Sequence, residues 1–229
     1  MPQVFAHRGL HREVRENTLE AFRAAVALGV DGVELDVRRT ADGALVVHHD
    51  PVVDGLVISQ SRWRELPTYI PTLDESMWAL DGVRVNVEIK NYRDDSEPTY
   101  DESGSFATQV VTFLHEAGWD ESVIISCFDL ETCVVVRSLD SMMPIGWLLW
   151  AVDPHLALTQ AHVLGLNAIN PHFSVVDEGV ISQATSLGLD VNVWTVNKAS
   201  DIEKMKTLAV SSIISDDPGL VREILTHVR

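Results

Sequence analysis

The residues best suited to chemistry gather early in the chain, between Ala6 and Pro51, in the run AHRGLHREVRENTLEAFRAAVALGVDGVELDVRRTADGALVVHHDP. Of its four histidines, His7 and His49 stand out, together with the acids Glu34 and Asp36 and with Arg8. Imidazoles exchange protons near neutral pH. Carboxylates are hard oxygen ligands for cations, and a guanidinium forks onto phosphate or carboxylate oxygens. Farther on, Glu88 and Lys90 offer a third carboxylate and a second cation to the same place.

The elements around these residues determine whether they meet. Val4-Phe5-Ala6 is short, apolar and bounded by Arg8-Gly9, so it reads as a buried strand ending at His7. Asn17 is placed as the N-cap of the next helix, with Glu20 in the capping-box position and Gly29 just past the last turn. Gly32 to Arg38 is the second strand. Val33, Leu35 and Val37 point one way, and Glu34, Asp36 and Arg38 the other. Two readings of that acidic face stay open: a buried set that needs cations or metals as partners, or a half-exposed edge strand with its polar face in water. The Asp42-Gly43 pair signals a two-residue hairpin loop. That register sets Asp36 opposite His49; a one-residue slip sets His48 there and turns His49 away.

Length and composition bound the rest. A chain of 229 residues, 46% of them hydrophobic, can build one large α/β core. Its net charge of −17 argues against nucleic acid or a stable anionic-membrane association, both of which need clustered Lys and Arg. An anionic substrate must therefore be met by a local cationic cluster. The chain enters a strand within three residues of Met1, so no secretion signal is expected, and Cys127 and Cys133 do not read as a disulfide framework. The setting expected is cytoplasmic.

Downstream, an irregular segment runs from Pro51 to Pro71, and a brief helix spans Leu73 to Leu80. VRVNVEIK then alternates strictly, with Arg84, Asn86, Glu88 and Lys90 on its polar face. An acidic loop follows, and its 94–102 stretch would favour a cationic group nearby. After it, helices near 106–117, 130–139, 154–164, 177–187 and 200–208 each precede a strand, and 219–228 closes the chain. The junctions ALGVDGVELD, AGWDESVII, LGLNAIN and LGLDVNVWT repeat one β/α unit. Strands beginning at 4, 32, 83, 122, 144, 168, 190 and 212 make eight, which predicts a (β/α)8 TIM barrel over 1–229 as a single domain, with 44–49 as a hairpin arm after the second strand. A doubly wound open sheet is the other fold considered. In a barrel, His7, Asp36, Lys90 and Trp194 fall at strand C-terminal ends, where barrel sites lie.

AHRG, ENTLEAF, GVELDVRRTADGALVVHHDP, NVEIK and VNVWTVN together resemble the glycerophosphodiester phosphodiesterases, from Ala6 to about Pro218. The resemblance implies a TIM barrel that hydrolyses glycerophosphodiesters to glycerol 3-phosphate and an alcohol. It places His7 and His49 as general acid and base, and Glu34, Asp36 and Glu88 as ligands of one divalent cation. Arg8 and Lys90 fall on phosphate-contacting positions and Trp194 on an aromatic pocket wall. It also implies attack by the glycerol 2-hydroxyl through a cyclic phosphate. Three carboxylates suit Mg²⁺ or Ca²⁺ rather than zinc. Three departures stand out: Arg15 where the family usually has proline, a short segment without Arg-Thr-Thr after Pro51, and Cys127 in place of a small hydroxyl residue.

The competing readings are a salt-bridge network of the three acids with Arg8, Arg38 and Lys90, a phospholipase D-like barrel acting on lysophospholipids, and a barrel that binds a phosphorylated ligand without catalysis. His172, after Asn170-Pro171, is a candidate substrate contact or a capped loop histidine. His11, His48, His115, His155, His162 and His227 have no argued partners, and Trp147 and Trp150 are expected to pack.

Overall fold

The computed structural model describes residues 1–93, 100–119 and 122–226. Eight parallel strands hydrogen-bond edge to edge into a closed ring: β1 (Gln3–His7), β2 (Gly32–Arg39), β6 (Arg84–Ile89), β7 (Val123–Cys127), β8 (Ile145–Leu149), β9 (Ala168–Pro171), β10 (Asp190–Val193) and β11 (Ser212–Ser215). β1 pairs with both β2 and β11, so the first and last strands close the barrel. β3 (Leu45–Val47) lies antiparallel on β2. The helices α1 (Leu19–Leu28), α2 (Leu73–Ala79), α3 (Ser105–Ala117), α4 (Leu130–Leu139), α5 (Pro154–Val163), α6 (Glu178–Leu187), α7 (Ala199–Leu208) and α8 (Pro218–Thr226) surround it. Among the described residues, no helix is long and apolar enough to cross a membrane.

Strand alternation builds two layers. Val33, Leu35, Val37, Val85, Val87 and Ile89 pack with helix residues such as Phe22, Leu73, Met77 and Leu114 in one large core. Each fully buried side chain of this kind contributes about 1.5–3 kcal/mol. The other face of each strand points into the barrel. Gly32 leaves room there for Phe5, whose ring would lie 2.3 Å from any Cβ at that position.

Barrel closure settles the acidic face of β2. The strand is paired on both sides, and Glu34 and Asp36 are only 3% and 1% exposed, so the edge-strand reading is wrong. Three further expectations are corrected. Thr18, not Asn17, caps α1, its Oγ1 accepting from the Ala21 N–H at 3.3 Å. The segment after Pro51 is not wholly irregular: β4 (Val52–Val53) and β5 (Leu56–Val57) pair, and Val53, Ile58, Leu66 and Ile70 form a small core with Val46.

The hairpin register also differs by one residue. Arg38 pairs with Val46 and Arg39 with Leu45, and the His48 N–H donates to the Asp36 carbonyl at 2.9 Å. The cause is the loop. The Thr40 hydroxyl donates to Asp42 Oδ1 at 2.6 Å, and the Trp63 N–H donates to the same oxygen at 3.0 Å. Gly43 (φ +83°) takes the left-handed position while Asp42 does not. That geometry is a three-residue loop with a bulge, Ala41 to Gly43, rather than a two-residue turn with both central residues at positive φ. Of the acidic loop, Asp94, Asp95 and Glu97 lie outside the described residues, as does His227. Asp101 is described, and accepts from the Phe106 N–H at 2.6 Å at the start of α3.

Candidate active site

At the C-terminal mouth of the barrel, β1 delivers His7, β2 delivers Glu34 and Asp36, and β6 delivers Glu88, with Lys90 just past its end. The registers bring them level: His7 lies beside Glu34 and Asp36 beside Glu88. One carboxylate oxygen from each of Glu34, Asp36 and Glu88 lies within 4.8 Å of the others. A cavity of about 100 Å³ there is lined by His7, Arg8, Glu34, His49, Glu88, Lys90 and Trp194, among others.

Three buried carboxylates this close repel one another, and their environment divides them. Burial and the charges of Asp36 and Glu88 push the Glu34 carboxyl well above its usual range. Burial also opposes ionisation of Asp36, but the Lys90 ammonium and the Arg8 guanidinium outweigh it and hold Asp36 below the usual carboxylate range. Asp36 Oδ2 accepts from Asn17 Nδ2 at 2.7 Å and lies 3.2 Å from Arg8 Nε. Lys90 Nζ sits 2.8 Å from Glu88 Oε1 and 3.5 Å from Asp36 Oδ1. The Arg8 N–H donates to Glu34 Oε2 at 3.1 Å. Glu34 Oε1 and Asp36 Oδ1 are buried and accept no hydrogen bond among the described residues. Two buried carboxylate oxygens without a hydrogen bond, together with a third carboxylate, are a donor set that fits a hard divalent cation, whose charge would favour the ionised form of all three.

The loop after β1 is bent to make these contacts. Arg8 (φ +54°) and Asn17 (φ +53°) both adopt left-handed backbone, and the Asn17 N–H donates to the Arg8 carbonyl at 3.0 Å. Strain of this kind costs about 1–3 kcal/mol per residue and persists where surrounding contacts hold it. Asn17 is therefore a residue of the site rather than a helix cap.

His7 and His49 each pair with a carboxylate. His7 Nδ1 lies 2.6 Å from Asp216 Oδ1, and its Nε2 faces Glu34 at 3.8 Å. Burial opposes the Asp216 charge, but hydrogen bonds from His11 and His7 prevail and hold it well below the usual carboxylate range. His49 Nδ1 lies 2.7 Å from Asp50. His49 reaches the cavity although His48 occupies the position across from Asp36, because β3 has ended and Arg38 Nε grips the His49 carbonyl at 2.9 Å.

Asp216, His11 and Arg38 were missed as site residues. Asp216 follows the last strand directly, and that strand-end position was its signal. Trp194 lines the cavity, its Nε1–H donating to the Asn170 carbonyl at 2.7 Å. His172 pairs with Ser174 Oγ at 2.7 Å and meets Trp194 edge-on, 5.6 Å between ring centroids, so it buttresses that wall from outside the cavity. Trp147 is buried as expected, but Trp150 is 63% exposed at the mouth. Cys127 is buried, its thiol pushed up to about 12 by burial, and Sγ donates to the Ile89 carbonyl at 3.2 Å.

Residues 7–220 match the glycerophosphoryl diester phosphodiesterase family. A glycerophosphodiester phosphodiesterase of Caldanaerobacter subterraneus subsp. tengcongensis is 31% identical over 245 residues, 94% of each chain. The crystal structure of a glycerophosphodiester phosphodiesterase from Parabacteroides distasonis superposes with a TM-score of 0.87 at 25% identity, covering 98% of this chain and 96% of that one. A phosphodiesterase of Oleispira antarctica, solved with the product sn-glycerol-3-phosphate, shares the fold at a TM-score of 0.88 and 23% identity, covering 99% and 98%. The chain belongs to the glycerophosphoryl diester phosphodiesterase family and is a phosphodiester hydrolase.

Proposed function

We propose that the whole chain works as one barrel that hydrolyses glycerophosphodiesters to glycerol 3-phosphate and an alcohol, with Glu34, Asp36 and Glu88 holding one Mg²⁺ or Ca²⁺. The observation that carries this reading is the convergence of three buried carboxylates with His7 and His49 around one cavity. When bound, such a cation supplies Lewis-acid polarisation of a phosphoryl oxygen and makes a nearby hydroxyl more acidic.

The protein's own groups manage charge and protons. Arg8 and Lys90 carry the positive charge that a phosphodiester anion meets in a chain of net −17. Because Asp216 stays ionised, the His7 proton resides on Nδ1, and Nε2 is left to exchange a proton inside the cavity. His49, on the hairpin side, performs the complementary transfer: one imidazole takes the proton of the attacking hydroxyl and the other delivers one to the leaving oxygen. Trp194 forms the apolar wall against which the glycerol carbons rest. Two free, buried cysteines support a reducing, cytoplasmic setting.

The test is glycerol 3-phosphate release from glycerophosphodiesters in Mg²⁺, Ca²⁺ or EDTA, for the wild type and His49→Ala. Release that needs a divalent cation and is lost in the variant is the expected result. Release that survives both EDTA and the substitution overturns the assignment.

A further inference from the structure

Beside the site cavity, a second cavity of about 170 Å³ opens at the mouth and shares Glu88, Lys90 and Phe128 with it. Its outer walls are Tyr92 and Trp150. The rings form a continuous course. Tyr92 and Phe128 are 5.7 Å apart, Phe128 meets Trp194 edge-on at 5.6 Å, and Trp150 lies nearly parallel to Trp194 at 6.3 Å and 24°.

Trp150 is presented rather than packed. It is 63% exposed directly after β8, and the next residue, Ala151, holds a left-handed backbone (φ +55°). An L-residue pays roughly 1–2 kcal/mol for that conformation. A strained turn that displays an indole beside the reaction centre suits ligand contact better than core filling.

Two polar side chains on this cavity, Lys90 and Asn91, are already engaged within the protein. Lys90 Nζ is paired with Glu88 and Asp36. Asn91 Oδ1 accepts from the Asp101 N–H at 2.9 Å, and its Nδ2 donates to Thr132 Oγ1 at 2.9 Å and to the Asp101 carbonyl at 3.2 Å. A polyol entering here would find neither of these two side chains free to replace the hydrogen bonds it gives up to water, a penalty of about 1–3 kcal/mol per unsatisfied group. A quaternary ammonium has no hydrogen bonds to lose. It is drawn to aromatic faces, tryptophan above all, and to a chain of net charge −17.

We propose that the Tyr92–Phe128–Trp150 cavity is the leaving-group subsite and selects an alcohol bearing a trimethylammonium group, of the choline type. The inference rests on the phosphodiesterase reading and names the substrate class for that site.

Steady-state kinetics on glycerophosphocholine, glycerophosphoethanolamine and glycerophosphoglycerol test it, with the wild type, Trp150→Ala and Trp150→Phe. The ethanolamine diester keeps the positive charge on its leaving group but lacks the methyl groups, and the leaving group of the glycerol diester is a neutral polyol. The wild type is expected to favour the choline diester in kcat/KM by roughly 5- to 30-fold, the span that one or two cation–π contacts supply. Trp150→Ala should bring the choline-to-glycerol ratio close to one through KM, and Trp150→Phe should keep most of it. Equal turnover of the three diesters by the wild type, or an equal loss on all three in Trp150→Ala, overturns the subsite while leaving the phosphodiesterase reading intact. Hydrolysis of none of the three overturns that reading and the subsite with it.

Discussion

The two histidine–carboxylate pairs of the mouth have nearly the same length and opposite surroundings. His7 and Asp216 meet at 2.6 Å across 209 positions of sequence, and Asp216 also accepts from His11 at 3.3 Å and from Asn197 Nδ2 at 2.6 Å. His49 and Asp50 meet at 2.7 Å as chain neighbours, and the Asp50 side chain is 70% exposed. A carboxylate fixed by several donors holds its imidazole in one tautomer and orientation. One that is mostly in water competes with solvent and holds far less. His7 is thus the oriented partner, and His49 takes its place from the hairpin and from the grip of Arg38 on its carbonyl.

The largest effect should come from removing either imidazole. His7→Ala and His49→Ala should each lower kcat by about 10²–10⁴-fold in a glycerol 3-phosphate release assay. A variant within tenfold of wild type would reduce the pair to a single working histidine. Next come the carboxylates. Asp216→Asn should lower kcat by roughly 10–100-fold, as loss of an orienting partner does, whereas Asp50→Asn should stay within about threefold. Equal losses in the two variants would erase the distinction between the pairs.

Between the two histidines, Glu34 tests the electrostatics of the site without metal. Its raised pKa means that the folded protein gains stability as this group protonates. That gain is present at pH 4.5 and below, and is lost as pH rises through the raised value. In EDTA, Glu34→Gln should therefore unfold at a higher temperature than wild type at pH 8, by about 2–4 °C if the carboxylate costs ~1 kcal/mol. The advantage should shrink at pH 5, and cation-dependent turnover should be lost. A wild type that is the more stable at pH 8 contradicts this account.

The smallest effect sits at the edge of the Asp216 cluster. The hydrogen bond to Asp216 raises the His11 pKa against the opposing effect of burial. Its stabilisation is complete below about pH 6.5 and fades as pH rises through the raised value. His11→Ala should lower the unfolding temperature at pH 6 and leave it near wild type at pH 9. A deficit that is the same at both pH values would mean that His11 acts by packing alone.

Much of this was readable from local pattern. Period-two alternation placed Glu34 and Asp36 on one face of β2 and Glu88 on one face of β6, and the repeated helix–glycine–strand junctions counted eight strands because each depends on near neighbours in sequence. The hairpin was legible but its register was not, since the φ of Asp42 is set by the Thr40 hydroxyl and by the Trp63 N–H, 21 residues away. Asn17 looked like a cap because its type fits one; only the fold brings Asp36 within 2.7 Å of its amide. Trp150 was expected to pack like Trp147, and the turn at Ala151 instead leaves it largely exposed at the mouth.

The sequence by itself determined the strand count, the grouping of the acids on one face of each of two strands, and the two histidines at strand and hairpin ends. The tertiary structure alone decided that those acids are buried together, that Asp216 is the partner of His7, and that a line of aromatic rings borders the cavity. The physical reason is barrel closure. When β11 pairs with β1, residues more than 200 positions apart become neighbours, and the polar faces that a single strand would show to water are enclosed.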